Sequence, residues 1–467
     1  MRLVMKFGGT SVGDGSRIRS VSDLVANYAR EGNAIVVVVS AMGGVTDALV
    51  GAIERAGRGD FGFIGGFVRE LGDKHRQALN VVEKDELRRD AVTRIEETLE
   101  NLEKVLFGIS CLREVTPRSR DLVLSTGEQL SAPILSACLV QNGLCSRWFT
   151  GGEAGLITDN RFGDARPLMD VTRRLVRERL EPLTTRGCVP VVTGYIACTR
   201  EGIVTTLGRG GSDYTASILG AALGVDEVWI WTDVDGVMTT DPRVDPSARV
   251  IPVISYAEAT EMAYFGAKVL HPRTLEPAME DDIPVRIRNS FNPGAPGTLI
   301  VKEHEVKVEG AVKAVAMIRD VALVTVSGTK MLGVPGVAAE VFGVLGRLGI
   351  NVLMISQASS EANISFVIPC GEVAGATRAL EDEFAMRNHV SEVDAEEDVC
   401  VVAVVGAGMR GSPGVAARVF HAVASHGVNV RMIAQGSSEL NISFVVKEET
   451  GRAAVRAVHE EFKLGGG

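Results

Sequence analysis

The chain has no excess of positive charge. Its 49 Lys and Arg stand against 59 Asp and Glu, a formal net charge of −10, which argues against a nucleic-acid or anionic-membrane surface. It also lacks any apolar run of the roughly 18 residues that a membrane-spanning helix needs. Met1-Arg2-Leu3-Val4 leads straight into a predicted strand, so no signal peptide is expected. Cysteine is sparse: seven residues, an odd number with no C-x-x-C pair, predict reduced thiols in the cytoplasm, filling core rather than holding metal. The seven histidines are scattered, with no metal-site spacing, so no metal centre is predicted.

What is present is ordinary for a globular protein: 46% apolar and 23% charged residues. At 467 residues the chain is too long for one core and predicts two or three domains. Up to about residue 300, short apolar runs alternate with helical patterns. Ala34–Val39, Cys188–Val192 and Val228–Trp231 read as strands buried on both faces, and Tyr214–Leu223 as a helix. That rhythm predicts an α/β fold, a mainly parallel sheet sandwiched by helices in three layers. From about 50 to 120 the pattern turns helical and charged, as in Asp85-Glu86-Leu87-Arg88-Arg89-Asp90, and reads as a helical insertion with a solvated face.

After Asn292-Pro293-Gly294-Ala295-Pro296-Gly297 the character changes. Residues 335–368 reappear as 413–446, with 21 of 34 positions identical. Two copies are too few for a solenoid, so a pair of small homologous domains is predicted, each a ferredoxin-like βαββαβ unit. The strand Ala311–Ile318 can belong to either copy, since one such domain can be nested in the other. Gly406-Ala407-Gly408-Met409-Arg410-Gly411 spells a dinucleotide fingerprint. It aligns with Ser327–Gly333 of the first copy, fewer than 60 residues follow it, and no acidic residue ends the next strand, so it reads as a turn. On the same grounds no fused homoserine dehydrogenase is expected.

The chemistry lies in polar, glycine-bearing loops at strand ends. Lys6-Phe7-Gly8-Gly9-Thr10-Ser11 ends the first strand. It is either a simple turn or backbone N–H groups turned toward an anion, with a lysine for charge. Ser40-Ala41-Met42-Gly43-Gly44-Val45-Thr46 ends the second. Thr205–Asp213, with Gly208-Arg209-Gly210-Gly211-Ser212-Asp213, runs into a helix that Ser212 or Asp213 can cap. The same loop makes an anion site, its guanidinium suited to a carboxylate. Thr232-Asp233-Val234-Asp235-Gly236 closes a further strand, as a turn or a nucleotide contact. In Ser125-Thr126-Gly127-Glu128, Glu128 is either a first-turn glutamate favoured by the helix dipole or the partner of an ammonium. Lys268, alone in the apolar Phe265–Pro272, is a snorkelling surface lysine or a second phosphate-binding one.

Taken in this order, together with Thr239-Thr240-Asp241-Pro242-Arg243, these motifs resemble the aspartate kinases of the amino-acid kinase family over essentially the whole chain, with the two copies resembling paired ACT domains. The resemblance implies a kinase domain at 1–302, ACT domains at about 303–389 and 390–467, and transfer of the ATP γ-phosphoryl group to the side-chain carboxylate of L-aspartate. It assigns Lys6, Lys268 and Asp213, with Gly8, Gly9, Gly43 and Gly44, to the phosphoryl group. Arg209 takes the substrate α-carboxylate and Glu128 its ammonium, with Ser40, Thr46, Ser212 and Tyr195 completing the pocket. Thr232, Asp233, Arg243 and Met238 fall at nucleotide positions, with Mg²⁺ screening the ATP oxygens. Met238 departs from the tyrosine some relatives carry there; methionine can pack on an adenine face.

The resemblance further implies a cytoplasmic enzyme opening lysine, threonine and methionine synthesis, inhibited by an end-product amino acid. Effector candidates are Met331, Gly333, Gly336, Val337, Gln357, Asn363 and Ile364, with Gln435 and Asn441 in the second copy. The first loop carries no acidic residue to meet a lysine ε-ammonium, which favours threonine over lysine. An apolar face of Val337, Val341 and Phe342 predicts a homodimer, or a dimer of dimers, through the ACT domains. The competing readings are a kinase of glutamate, acetylglutamate or UMP, and a catalytically inactive amino-acid sensor.

Overall fold

A computed structural model describes all residues except 265–271, 307–309, 329–330, 333, 359–361, 386–391 and 466–467. Lys268 and Gly333 therefore lie outside the described residues. The chain divides into two compact units, one of residues 1–237, 252–256 and 269–306, the other of 238–251, 257–268 and 307–467.

The first unit is built on β1 (Arg2–Phe7), β2 (Ala34–Val39), β3 (Cys145–Phe149), β4 (Cys188–Thr193), β7 (Glu227–Thr232), β8 (Val253–Ser255), β9 (Val285–Asn289) and β10 (Thr298–Val301), with β5 (Ile196–Cys198) and β6 (Val204–Thr206) as a separate hairpin. The eight strands run in the order β3-β4-β2-β1-β7-β9-β10-β8. Every pair is parallel except β9 and β10. β1 is central, hydrogen-bonded to β2 and β7, and its run Leu3–Phe7 is buried. β-branched residues fill β2, as suits a strand covered on both faces.

Around the sheet stand α1 (Gly15–Arg30), α2 (Val45–Gly57), α3 (Ile64–Leu79), α4 (Asp85–Leu112), α5 (Pro117–Leu124), α6 (Thr126–Gln141), α7 (Gly151–Ala154), α8 (Met169–Thr185), α9 (Gly211–Leu223) and α11 (Pro272–Glu280). The predicted insertion is helical: α2 to α4 bury Leu49, Ile53, Leu71, Ile95, Leu99 and Leu106 in one core. By length and composition Pro117–Gln141 could cross a membrane, but 89% of its most apolar window is buried in the fold, as a core helix requires.

Not all the thiols are reduced. Cys145 and Cys188 open neighbouring parallel strands in register, with Cα atoms 4.5 Å apart, and form a disulfide. The sequence offered no C-x-x-C because this pair is made by strand pairing, not by chain proximity. The other cysteines, at 111, 138, 198, 370 and 400, are free.

The second unit contains α10 (Tyr256–Tyr264) beyond Tyr256, and a six-stranded sheet in the order β12-β13-β11-β14-β16-β15. Its strands are β11 (Ala314–Ser327), β12 (Met354–Gln357), β13 (Asn363–Pro369), β14 (Glu392–Val405), β15 (Val430–Ala434) and β16 (Asn441–Lys447). Its helices are α12 (Val337–Arg347), α13 (Val373–Ala385), α14 (Val415–Ser425) and α15 (Glu448–Glu461). The repeat is kept in the register: Val321 faces Pro369 in the first copy as Val399 faces Lys447 in the second. Ala314–Ile318, which the sequence left open between the copies, pairs with Val401–Val405 of the second; reciprocally, Glu392–Glu396 pairs with Leu323–Ser327 of the first.

Val337 and Val341 do not form an outer face. They are 6% and 0% exposed in the core of their own copy, and the Phe342 ring meets Phe366 edge-on at 6.1 Å. The helix stripe that looked free in sequence is the stripe covering its own sheet. Gln435 lies one residue beyond β15 rather than within it.

Candidate active site

The C-terminal ends of β1, β2 and β7 lie side by side, where open α/β sheets place their ligands. Lys6, second to last in β1, is 8% exposed and ion-paired with Asp213 in the first turn of α9. Their side chains are only 11% and 16% exposed, so removing either leaves a nearly buried charge. Gly8 follows, with a Cβ there only 3.5 Å from the lysine Nζ, and its N–H donates to Trp231 O at the end of β7. A Cβ on Gly9 would come 2.9 Å from Ala41 O, so the β1 and β2 turns close on one another at glycine. Gly44 caps α2 at φ 77°, a value that suits glycine, and Lys74 Nζ donates to Gly43 O at 2.6 Å. Thr46 lies exposed in the first turn of α2, and Ser40, just after β2, is half-buried.

α9 is capped by Gly210 at φ 70°, not by Ser212 or Asp213, which sit inside its first turn. A left-handed glycine lets the chain enter the helix directly and frees Asp213 for Lys6. Ser212 packs on Gly194, where a Cβ would clash at 2.6 Å. Arg209, in the same turn, is exposed, and among the described residues its guanidinium makes no hydrogen bond or ion pair. Tyr195 takes φ 67°, rare for an aromatic residue, and is held there by Thr215 Oγ1 on its N–H and Leu207 N on its carbonyl, both at 3.0 Å. Its ring lies against Gly211, the first residue of α9.

Glu128, in the first turn of α6, is 4% exposed. Burial pushes its carboxyl up to about 8, against a backbone hydrogen bond from Ala41, and among the described residues its Oε2 has no partner. Gly127 packs on the Ala41 Cβ and Ser131 Oγ donates to Ser40 O at 2.8 Å, fixing this helix to the β2 turn. A buried carboxyl group with a free oxygen, and no cation beside it among the described residues, is poised for a cationic ligand.

At the end of β7, Thr232 O accepts from Ser290 N at 2.9 Å and Thr232 Oγ1 donates to Asp233. Asp235 is held by Asn289 and Asn292, and Ser11 meets Ser290 at 2.8 Å. These supports were not foreseen, because Asn289, Ser290 and Asn292 lie more than fifty residues further along the chain. Met238 and Arg243 belong to the second unit: Met238 bridges to Val250, and Arg243 clasps Asp241 with its side chain 82% exposed.

In the second unit the effector candidates fall into two different settings. In the first copy Met331 and Ile364 are buried, Gly336 caps α12 at φ 98°, Gln357 is exposed at the end of β12, and Asn363 opens β13. In the second copy three donors are engaged by carboxylates. Asn441 Nδ2 donates to Glu261 of α10, Ala407 N donates to Glu258 of the same helix at 2.8 Å, and Gly411 N donates to Glu439 at 2.6 Å. Glu258, 0% exposed, also pairs with Lys313 at 2.9 Å.

Residues 1–289 match the amino acid kinase family, and 324–384 and 402–462 match the ACT domain. Aspartokinase 2 of Arabidopsis thaliana, a chloroplastic protein, is 37% identical over 98% of this chain and 84% of its own length. The chain belongs to the aspartokinase family. The solved E. coli aspartokinase III with aspartate and ADP (R-state) is 32% identical, covers 99% of this chain and 100% of its own, and superposes with a TM-score of 0.82. The same enzyme with lysine and aspartate (T-state) is 33% identical, with 98% and 99% covered and a TM-score of 0.81. The chloroplastic bifunctional aspartokinase/homoserine dehydrogenase 1 of Arabidopsis thaliana is 40% identical over 99% of this chain but 51% of that protein. The chain thus spans about half the length of the bifunctional relatives it matches.

Proposed function

We propose that this chain transfers the γ-phosphoryl group of ATP to the side-chain carboxylate of L-aspartate, giving 4-phospho-L-aspartate for lysine, threonine and methionine synthesis. The observation that carries this reading is Glu128, a buried carboxyl group whose Oε2 has no partner among the described residues, on α6 where that helix packs against the β2 turn of Gly43 and Gly44. In the reading it receives the aspartate ammonium, while the exposed Arg209 takes the α-carboxylate in a bidentate contact. Ser40, Thr46, Tyr195 and Ser212 line the amino acid. Lys6, oriented by Asp213, stabilises charge on the transferring oxygens with the N–H groups of Gly8, Gly9, Gly43 and Gly44, and Lys268 adds a second positive charge. Thr232, Asp233, Met238 and Arg243 serve the nucleotide.

Mg²⁺ fits this set as a companion of the ATP phosphates rather than a resident metal. Among the described residues no group of three His, Cys, Asp or Glu side chains is placed to hold an ion, and Mg²⁺ commonly binds through phosphates and water.

For regulation we infer an end-product amino acid, threonine in preference to lysine, held by the first copy at Met331, Gly333, Gly336, Val337, Gln357, Asn363 and Ile364. The second copy's Gln435 and Asn441 take a lesser part, since Glu258, Glu261 and Glu439 occupy the donors around them. Assembly through the ACT domains, as a homodimer or a dimer of dimers, now rests on the outer strands β12 and β15, where the equivalent Ile355 and Ile433 are 50% and 47% exposed. A cytoplasmic location belongs to this reading on the free thiols, with the disulfide standing against that argument.

The deciding experiment is ADP release with aspartate, with glutamate and with no acceptor. Aspartate-dependent release supports the reading, glutamate preference makes this another amino-acid kinase, and no release with either makes it a sensor.

A further inference from the structure

Asp121 is 0% exposed, yet among the described residues it has no ion-pair partner. Its charge is met by three donors. Thr206 N at 2.9 Å and Gly163 N at 3.0 Å reach Oδ2, and Thr206 Oγ1 at 2.7 Å reaches Oδ1. A buried carboxylate held this way is expensive unless every bond is made, and these bonds join parts of the chain 42 and 85 residues apart.

What those parts carry gives the bonds their meaning. Asp121 lies in α5, whose start is fixed by the Thr116 capping box, and α5 continues through Ser125 into α6. Glu128 follows seven residues later, about two helical turns on and so on the same face. Thr206 ends β6, and Arg209 stands three residues after it in the turn that opens α9. Gly163 leads into Asp164, on which Gly208 rests so closely that a Cβ would lie 2.7 Å from Oδ1. Arg273 holds Asp164 from the other side and reaches Ala165 O at 3.3 Å. Leu207, the residue after Thr206, donates its N–H to Tyr195 O at 3.0 Å.

We propose that Asp121 is a positioning residue for the amino-acid substrate. By gripping Thr206 and Gly163 it sets the Arg209 turn at a fixed distance and orientation from Glu128. The two groups that would take the α-carboxylate and the ammonium are then preorganised as one clamp, with Tyr195 tied in through Leu207, next to Thr206. Such preorganisation acts on binding of the amino acid and leaves the Lys6 and nucleotide side of the site alone. The inference rests on the assignment of Arg209 and Glu128 to aspartate made above.

The test is steady-state kinetics of Asp121→Ala, Asp121→Asn, Thr206→Val and Arg209→Lys, with aspartate and ATP varied separately. Asp121→Ala should raise KM for aspartate about tenfold, the scale of one lost charged hydrogen bond, with KM for ATP within about twofold of wild type. Asp121→Asn should recover most of this, because its oxygen can accept both N–H groups while its amide donates to Thr206 Oγ1. Should Asp121→Ala fail to fold, Thr206→Val carries the test. It removes one donor and keeps the backbone bond, and should raise KM for aspartate about threefold without moving that for ATP. An unchanged KM for aspartate in Asp121→Ala or Thr206→Val, an equal rise in both KM values, or an asparagine variant as poor as alanine would overturn the proposal. If Arg209→Lys raises KM for aspartate while the Asp121 variants do not, only the positioning falls. If Arg209→Lys is also flat, the clamp itself falls and the positioning with it.

Discussion

The carboxyl of Glu128 offers a pH signature that a surface glutamate would not give. Burial raises it from 4.5 to about 8, so at pH 7 only about one empty site in eleven carries the charged form. If the charged form receives the aspartate ammonium, the apparent affinity is reduced by that fraction: about elevenfold at pH 7, twofold at pH 8 and hardly at all at pH 9. The KM for aspartate should therefore fall about fivefold from pH 7 to 8 and then level, while KM for ATP stays flat. Each aspartate bound should release close to one proton at pH 7, measurable by calorimetry in two buffers of different ionisation enthalpy. Glu128→Gln should lose both effects and bind aspartate poorly throughout.

The same shift acts on stability, and its sign runs opposite to that of a salt-bridged acid. The folded state keeps a proton that the unfolded chain gives up above 4.5. Stability from this group therefore falls as pH rises from 4.5 to about 8, by at most about 5 kcal/mol. Glu128→Gln should melt above wild type at pH 8.5 and level with it near pH 4. A KM for aspartate that is flat between pH 6.5 and 8.5, with no proton release, would refute the assignment of Glu128 to the ammonium.

Lys6→Met should cut turnover by about three orders of magnitude or more, as expected for a group acting on transition-state charge, and should also lower the melting temperature by exposing Asp213 to burial without its partner, a cost of about 3–5 kcal/mol. Adding Asp213→Asn should recover the melting temperature and not the activity; a single mutant with normal turnover removes Lys6 from catalysis. Arg209→Lys should cost about 2–3 kcal/mol in kcat/KM for aspartate with no change in melting temperature, since the side chain is exposed; a shift in KM for ATP instead would assign the loop to the nucleotide. Breaking Cys145–Cys188, which closes a 43-residue separation, by Cys145→Ser should destabilise by up to about 4 kcal/mol on loop entropy and leave kinetics unchanged; equal melting with and without reductant would count against the bond. Threonine should inhibit more strongly than lysine at aspartate near its KM, and Gln357→Ala should weaken that inhibition while Gln435→Ala does little; inhibition by lysine alone, or by threonine untouched in Gln357→Ala, would reverse the effector assignment.

The parts of this architecture that could be read in the sequence are those set by local pattern. β2 announces itself as a run of valines, α4 as a charged helix, and the glycine turns by composition. The Lys6–Asp213 pair followed from motif resemblance, and the fold supplied its reason: Gly210, not Ser212 or Asp213, starts the helix, so the aspartate is free to turn to the lysine. What could not be read is what strand order decides. Cys145 meets Cys188 only because β3 and β4 are neighbours, and Asp121 meets Thr206 only because β6 folds back on α5. No spacing rule connects such residues, since the intervening chain can have almost any length.

The two C-terminal copies sharpen that distinction. Their identity was enough to carry register: Val321 to Pro369 in one copy is Val399 to Lys447 in the other. It does not fix surroundings: Asn441, the counterpart of Asn363 at the same strand position, gives its amide to Glu261. A third element, α10, supplies Glu258 and Glu261 to the second copy, and Glu439 closes on Gly411 from within that copy's own loop. A free amino acid entering there would have to displace carboxylates already bonded to the N–H and amide groups that would hold its own carboxylate. Each exchange breaks a charge-assisted bond to make a similar one, so little free energy is left for binding. In the second copy, then, carboxylates from α10 and from its own loop already satisfy donors that an amino-acid carboxylate would need.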